Sequence, residues 1–121
     1  MAVDWDILKA QYLRGDRGTQ LDSLALNLTR IQLLAQQDSN EPVAQHLIRE
    51  SQFFIEWLVL GMDLDTDLVL ATELVDLQRL LSRWKLGGSA LWMDAQQRHN
   101  IALLAQDWCQ RIQVRYKILT R

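Results

Sequence analysis

The chain contains one cysteine and one proline, and both scarcities restrict what it can be. A single cysteine, Cys109, cannot form an intramolecular disulfide, so nothing in the sequence indicates an oxidising compartment. A single proline, Pro42, and five glycines interrupt the backbone rarely over 121 residues. Because proline and glycine are the residues that most often end regular structure, the sequence predicts a few long elements.

Long hydrophobic runs are also missing. The most apolar stretch, "FFIEWLVLGM" (53–62), is ten residues long and contains Glu56, whereas a membrane-spanning helix needs about 20 apolar residues. The segment "MAVDWDILK" includes two aspartates and no apolar run, which is not the pattern of a signal peptide. We therefore expect a soluble, cytoplasmic protein with no membrane partner.

The formal net charge is only −2, so the whole molecule offers no strong field for nucleic acid. Residues 50–78 carry seven acids and no base, and residues 108–121 carry four bases and no acid. In the basic segment Arg111 and Arg115 share a helix face, and Tyr116 could stack on a base. Cations at the carboxyl end of a helix also stabilise its dipole. We favour the second interpretation and expect no nucleic-acid partner; whether either segment forms a binding patch is left open.

Apolar residues recur at intervals of three and four, which is the spacing of one face of an α-helix. No segment alternates apolar and polar residues as a half-buried strand would. The sequence therefore predicts an all-α fold, an antiparallel four-helix bundle with an additional short N-terminal helix, in one domain spanning residues 1–121. The predicted helices cover about 3–14, 20–37, 41–60, 66–86 and 94–119.

Several residues have predicted roles in this bundle. Leu28 and Leu74 lie in the middle of apolar stripes and should face the core. Small residues at Ala102 and Ala105 should let a neighbouring helix approach the fifth helix closely. Helix starts are predicted at Thr19 with Asp22, at Asn40 before Pro42, and at Asp94 with Gln97.

The segment "GMDLDTDL" (61–68) places three aspartates at alternate positions, as a calcium-binding loop does. Such a loop needs glycine at its sixth position and a bidentate glutamate at its twelfth. Here those positions are Leu68 and Leu74. The alternative is a connector between helices, in which Asp65 or Thr66 caps the next helix. We therefore expect a connector.

Other candidates for metal binding or catalysis are incomplete. His46 and Glu50 lie one helical turn apart, but two ligands are too few for a metal site, and His99 is only a speculative third. Ser89 follows two glycines without the G-x-S-x-G pattern of a nucleophile elbow. Cys109 lies on the inward stripe of a helix, where a thiol behaves as a small hydrophobe. We therefore expect no metal, no cofactor and no enzymatic activity.

Two clusters of apolar residues fall at the edges of the predicted bundle, and we take them as a possible interaction surface. They belong to the first helix and to the segment "GGSALWMD" (87–94). If both were exposed, a homodimer would be the simplest way to cover them; packing of the first helix against its own bundle is the alternative. The predicted surface residues are Trp5, Leu8, Tyr12, Leu91, Trp92 and Met93.

Three segments, "LNLTRIQLLAQ", "ESQFFIEW" and "ELVDLQRLLSRW", resemble small uncharacterised helical proteins of cyanobacteria. The resemblance implies a bacterial cytosolic setting and no assigned activity, and it carries no functional residue onto this chain.

These patterns favour a non-catalytic helical protein-interaction module, acting as an adaptor, a regulator or an assembly partner. Its expected partner is another protein or a second copy of the chain. The alternative is a bundle that binds a small hydrophobic ligand or pigment between aromatic helices, and a metal enzyme ranks third.

Overall fold

The computed structural model describes residues 3–119, and the side chains of residues 3–115. This part of the chain is all-α and contains no strand, which confirms the predicted fold class and the short N-terminal helix. The stacking predicted for Tyr116 falls outside the described side chains. The helices are α1 (Trp5–Arg14), α2 (Arg17–Leu34), α3 (Glu41–Leu60), α4 (Leu64–Met93) and α5 (Ala95–Leu119).

Helices α2 to α5 form an antiparallel bundle in which each helix packs against the next and α5 returns to α2. The direction is visible in the α3–α4 contacts, where the beginning of one helix meets the end of the other. Ser89, late in α4, donates to Glu41 at the start of α3, and Gln78 donates to the backbone of Gln52 further along α3. Helix α1 packs across the outside of α3.

The α2–α5 pair is the most closely packed in the bundle. Ala25 of α2 and Ala105 of α5 are buried. The Sγ atom of Cys109 lies 3.4 Å from the carbonyl oxygen of Ala25 and 3.2 Å from Oγ1 of Thr29. Ala102 packs beside them against the core. The predicted close approach at Ala102 and Ala105 is confirmed.

The core contains the residues that the apolar stripes predicted. Leu28 and Leu74 are fully buried. The three tryptophans on the stripes are buried as well: Trp57, Trp84 and Trp108.

Helix α2 begins three residues before its predicted start, and the capping role predicted for Thr19 with Asp22 is wrong. The N-cap is Asp16, whose Oδ1 accepts a hydrogen bond from the Thr19 backbone N–H at 2.8 Å. This hydrogen bond holds the pKa of the Asp16 carboxyl below its ordinary value of 3.8. Gly18 therefore lies inside the first turn of α2, where it is buried, instead of ending α1.

Helices α3 and α5 begin close to their predicted starts. Asn40 precedes α3 with a left-handed φ of 64°, which asparagine tolerates better than most residues. Its side chain makes no capping hydrogen bond, so only its position was predicted correctly. Asp94 does cap α5, because its Oδ1 accepts hydrogen bonds from the backbone N–H groups of Gln96 and Gln97.

Helix α4 contains a break at the glycine pair. Gly88 has φ 52° and ψ −137°, a conformation that other residues rarely adopt. The regular helix therefore stops near its predicted end at residue 86. Residues 89–93 then form a further helical turn, although the sequence predicted a loop there. Trp92 lies in this turn and is buried in the core.

The burial of Leu28 and Leu74 generates the first prediction. Leu28→Ala and Leu74→Ala should each lower the free energy of unfolding by about 2–5 kcal/mol, because each leaves a cavity in a closely packed core. Urea denaturation measures the change. Leu33→Ala is the matched control, since Leu33 is 57% exposed on the same helix as Leu28 and the variant should lose no more than about 0.5 kcal/mol. Equal losses in all three variants would contradict the assignment of the core.

Candidate interaction surface

The aspartates of the α3–α4 connection hold the start of a helix, as the connector interpretation predicted. Asp63 is the N-cap and accepts a hydrogen bond from the Asp65 backbone N–H at 2.9 Å. Asp67 accepts one from the Asp63 backbone N–H and pairs with Arg17 at 3.4 Å. The cap is therefore Asp63, and the assignment of this role to Asp65 or Thr66 is wrong.

The second metal candidate is a surface pair. Nε2 of His46 lies 3.5 Å from Oε2 of Glu50, and the other carboxylate oxygen of Glu50 accepts a hydrogen bond from Asn27 on α2 at 3.1 Å. His99 is not brought to this pair, because it lines a different depression beside Arg98 on α5. In the described residues, no three His, Cys, Asp or Glu side chains are grouped as metal ligands would be.

The apolar stripe of α1 is covered by the chain's own bundle. The ring of Trp5 lies 4.6 Å from that of Phe53 on α3, and Tyr12 stacks on Phe54 at 4.1 Å. The Tyr12 hydroxyl donates to the Gln20 carbonyl oxygen at 2.7 Å, and burial raises the pKa of this hydroxyl. Leu8 packs partly buried against the core. Intramolecular packing, the alternative to a dimer through this stripe, is what the structure shows.

Trp92, predicted as a surface residue, is 1% exposed and belongs to the core. Its Nε1 donates to the Ser39 carbonyl oxygen at 3.4 Å, and its own carbonyl accepts a hydrogen bond from Arg98 at 2.6 Å. The break at Gly88 explains this placement, because it redirects the last turn of α4 so that Trp92 turns inward. The prediction for Trp92 is therefore wrong. Of the other residues predicted in this segment, Leu91 is half-buried and Met93 is 63% exposed.

Trp92 and Met93 are neighbours with opposite environments, and they generate the second prediction. Trp92→Ala should lower the free energy of unfolding by about 3–5 kcal/mol, because a large buried side chain is removed. Met93→Ala should change it by no more than about 0.5 kcal/mol. Thermal melts followed by circular dichroism measure both. A Trp92→Ala variant as stable as Met93→Ala would show that the tryptophan lies outside the core.

A second apolar stripe runs along the outside of α4, and sequence reasoning missed it. Its members are 41–88% exposed and follow each other at intervals of 4, 7 and 11 residues. These intervals are close to one, two and three helical turns, so the side chains share one face. We call this surface the α4 face; it consists of Leu64, Leu68, Val75 and Leu86.

Charged residues of both signs border the α4 face. Asp65 and Arg83 are exposed and lie 18 residues apart, which is five turns of 3.6 residues, so both stand on the same flank. Arg79 lies between Val75 and Leu86 along the helix and is 3.9 Å from Asp76. The beginning of the face is therefore acidic and its end is basic.

A cleft separates α4 from α5 on another side of the bundle. It has a volume of about 260 Å³, and Trp84 and Ile101 are buried in its walls. This volume is slightly below the usual range of small-molecule pockets, about 300–1,000 Å³. The lining residues are Leu80, Arg83, Trp84, Leu91, Gln97, Asn100, Ile101 and Leu104.

The two arginines proposed from the sequence as a phosphate-binding surface are engaged within the molecule. Arg115 makes two hydrogen bonds to the Glu73 carboxylate on α4, at 2.6 and 3.2 Å. The guanidinium of Arg111 lies 3.8 Å from the centre of the Trp108 ring and 3.9 Å from Asp107. Both guanidinium groups therefore make side-chain contacts within the molecule.

The Glu73–Arg115 pair generates the third prediction. The hydrogen bonds from Arg115 hold the pKa of Glu73 below its ordinary value of 4.5. A carboxyl group whose pKa is lower in the folded state stabilises the fold above its unfolded pKa, and this stabilisation is lost as the pH falls through the folded pKa. At pH 7, Glu73→Gln should therefore lower the free energy of unfolding by about 1 kcal/mol, and the difference from the wild type should disappear in acid.

Chemical denaturation from pH 7 to pH 3 measures this dependence. Asp76→Asn is the control, because Asp76 and Arg79 form an exposed pair at 3.9 Å and should give a smaller change. If the Glu73→Gln difference were the same at every pH, the ionic contribution of the pair would be refuted.

Comparison of the chain with protein-family models, with curated proteins and with solved structures finds no match. None of the described helices is both long enough and apolar enough to cross a membrane.

Proposed function

We propose that the chain is a non-catalytic helical interaction module, an adaptor, regulator or assembly partner that binds protein through the α4 face. The observation that carries the proposal is the exposure of four large apolar side chains in one line along one helix. Contiguous exposed apolar patches mark interaction surfaces in soluble proteins.

The length and form of the α4 face suit a helical partner. From Leu64 to Leu86 the face spans 22 residue steps, or about 33 Å of helix. Leu86, at the end of the regular helix, is 88% exposed. Apolar side chains of α4 that recur at helical turns would contact a partner helix, as in other complexes that recognise an amphipathic helix.

The groups that could have served catalysis have structural roles. The thiol of Cys109 is buried between α2 and α5. Ser89 donates a hydrogen bond to Glu41 at 2.8 Å, which joins α4 to α3. Glu50 accepts a hydrogen bond from the Asn27 side chain. These contacts support an interaction module over an enzyme.

A second candidate function is the binding of a small hydrophobic ligand, and the α4–α5 cleft favours it. Leu80, Trp84 and Leu104 give the cleft apolar walls, and Arg83 and Gln97 place polar groups beside them. The small volume of the cleft and the exposure of the four apolar side chains of the α4 face lead us to prefer protein binding.

The fourth prediction tests the α4 face with a photoreactive amino acid placed at position 68 in cells that make the protein. Irradiation should join the chain covalently to a protein, because Leu68 belongs to the α4 face. Position 69 is the matched control: Val69 is 61% exposed on the same helix but points about 100° away from Leu68. The adducts are identified by mass spectrometry.

Position 104, in the cleft, separates the two candidate functions. A small-molecule adduct at 104 with no protein adduct at 68 would favour the ligand-binding alternative. Equal protein adducts at 68 and 69 would show that the α4 face is not a specific surface and would overturn the proposal.

A further inference from the structure

We infer that the occupant of the α4 face is a second copy of this chain, with the two α4 helices antiparallel about a two-fold axis at Val75. This inference rests on the proposed function and names its partner. It is argued from the positions of the apolar and charged residues along the face.

The two ends of the face, Leu64 and Leu86, lie at equal distances along the helix on either side of Val75. In an antiparallel pair centred there, each residue lies opposite the one whose number brings their sum to 150. Leu64 then meets Leu86 of the second copy, because 64 + 86 = 150, and Val75 meets its own counterpart. Leu68 lies opposite Ser82, a small side chain whose Oγ accepts a hydrogen bond from Gln52 on α3 and which leaves room for the leucine. The two ends and the centre of the face are thus matched by apolar partners.

The positions of the charged residues favour the antiparallel orientation. Across a two-fold axis, the flank that carries Asp65 faces the same flank of the second copy. Asp65 lies opposite position 85, and Arg83 is two residues away, about 3 Å along the helix. Each dimer therefore contains two Asp65–Arg83 pairs between copies. The same rule brings Asp76 near Asp76 of the second copy, and Arg79 of each copy, 3.9 Å from its own Asp76, offsets that repulsion. In a parallel pair the flank that carries Asp65 faces the opposite flank of the second copy, so neither Asp65–Arg83 pair forms.

Among the described residues, Asp65 and Arg83 have no ion-pair partner within their own copy. Lys85 has none either, but its ammonium donates to the Gln45 carbonyl oxygen. Asp67 pairs with Arg17, and Glu73 with Arg115. The antiparallel dimer gives Asp65 and Arg83 the ion-pair partner that their own copy lacks.

Sedimentation at increasing micromolar concentrations tests the dimer on the full chain. The wild type should change from 14.1 kDa to twice that mass as the concentration rises. Val75→Lys should remain a monomer, because it places two ammonium groups against each other at the axis. Val69→Lys is the matched control and should dimerise as the wild type does, since Val69 lies off the α4 face. Circular dichroism verifies that both variants are folded.

Mixing two charge variants tests the orientation. Asp65→Arg alone and Arg83→Asp alone each place like charges at both contacts, and each should dimerise less than the wild type. An equimolar mixture should form a heterodimer, because every contact then joins an arginine to an aspartate. The heterodimer should bind about tenfold more tightly than either variant binds itself. Loss of folding in one variant cannot produce this recovery.

A wild type that remains monomeric, a Val75→Lys variant that still dimerises, or a mixture no tighter than its components would overturn the inference. The photoreactive experiment keeps this failure distinct from failure of the proposed function. An adduct at position 68 to a different protein, with a monomeric wild type, would retain the interaction module and reject the second copy. An adduct between two copies of the chain supports both.

Discussion

The close contact between α2 and α5 is the constraint on which the arrangement of the bundle depends. Alanines on both helices and the Cys109 thiol, 3.4 Å from the Ala25 carbonyl oxygen, let the two backbones approach. Because α5 lies so close to α2, it cannot pack as tightly along α4, and the cleft between α4 and α5 follows. A larger side chain at Ala105 would separate α2 from α5 and would displace both walls of that cleft. The polar thiol and Thr29 fit this contact because each finds a hydrogen-bond partner there.

The break at Gly88 is a second constraint, and it acts on the same helix that carries the exposed face. With φ at 52°, Gly88 ends the regular course of α4 and turns residues 89–93 back towards the core. Trp92 can then fill the interior beside the α2–α3 connection, where its indole N–H reaches Ser39. Leu86 stays outside because it precedes the turn and keeps the helical register of Val75. A single backbone conformation thus separates a core aromatic from an exposed leucine six residues earlier.

The sequence predicts well those features that depend on local chemistry, and poorly those that depend on distant contacts. The predicted bounds of α3, residues 41–60 with a start at Asn40 and Pro42, are correct, because the residues that begin and end a helix act over a few positions. The burial of Trp92 could not be predicted from "GGSALWMD". Residues 89–93 are too few to show a helical period, and their inward turn depends on contacts with the rest of the bundle. The α4 face was missed for a different reason. Leu64 and Leu68 precede the buried leucines of α4 and Leu86 follows them, so a sequence pattern alone reads these residues as a continuation of the inward stripe.

The acidic segment contains carboxylates that make contacts within the molecule and others that remain exposed to solvent. Residues 50–78 carry seven acids, which looks like one negative patch when read along the chain. In the structure Glu50 accepts a hydrogen bond from Asn27, and Asp63 caps α4. Asp67 and Glu73 form ion pairs with arginines of other helices. Since these carboxylates join elements of the bundle, they cannot also present a uniform acidic surface. The charges that remain beside the α4 face are of both signs and lie at opposite ends of it. A surface with that distribution attracts a partner carrying the same sequence of charges in the reverse direction, and a second copy of α4 carries it.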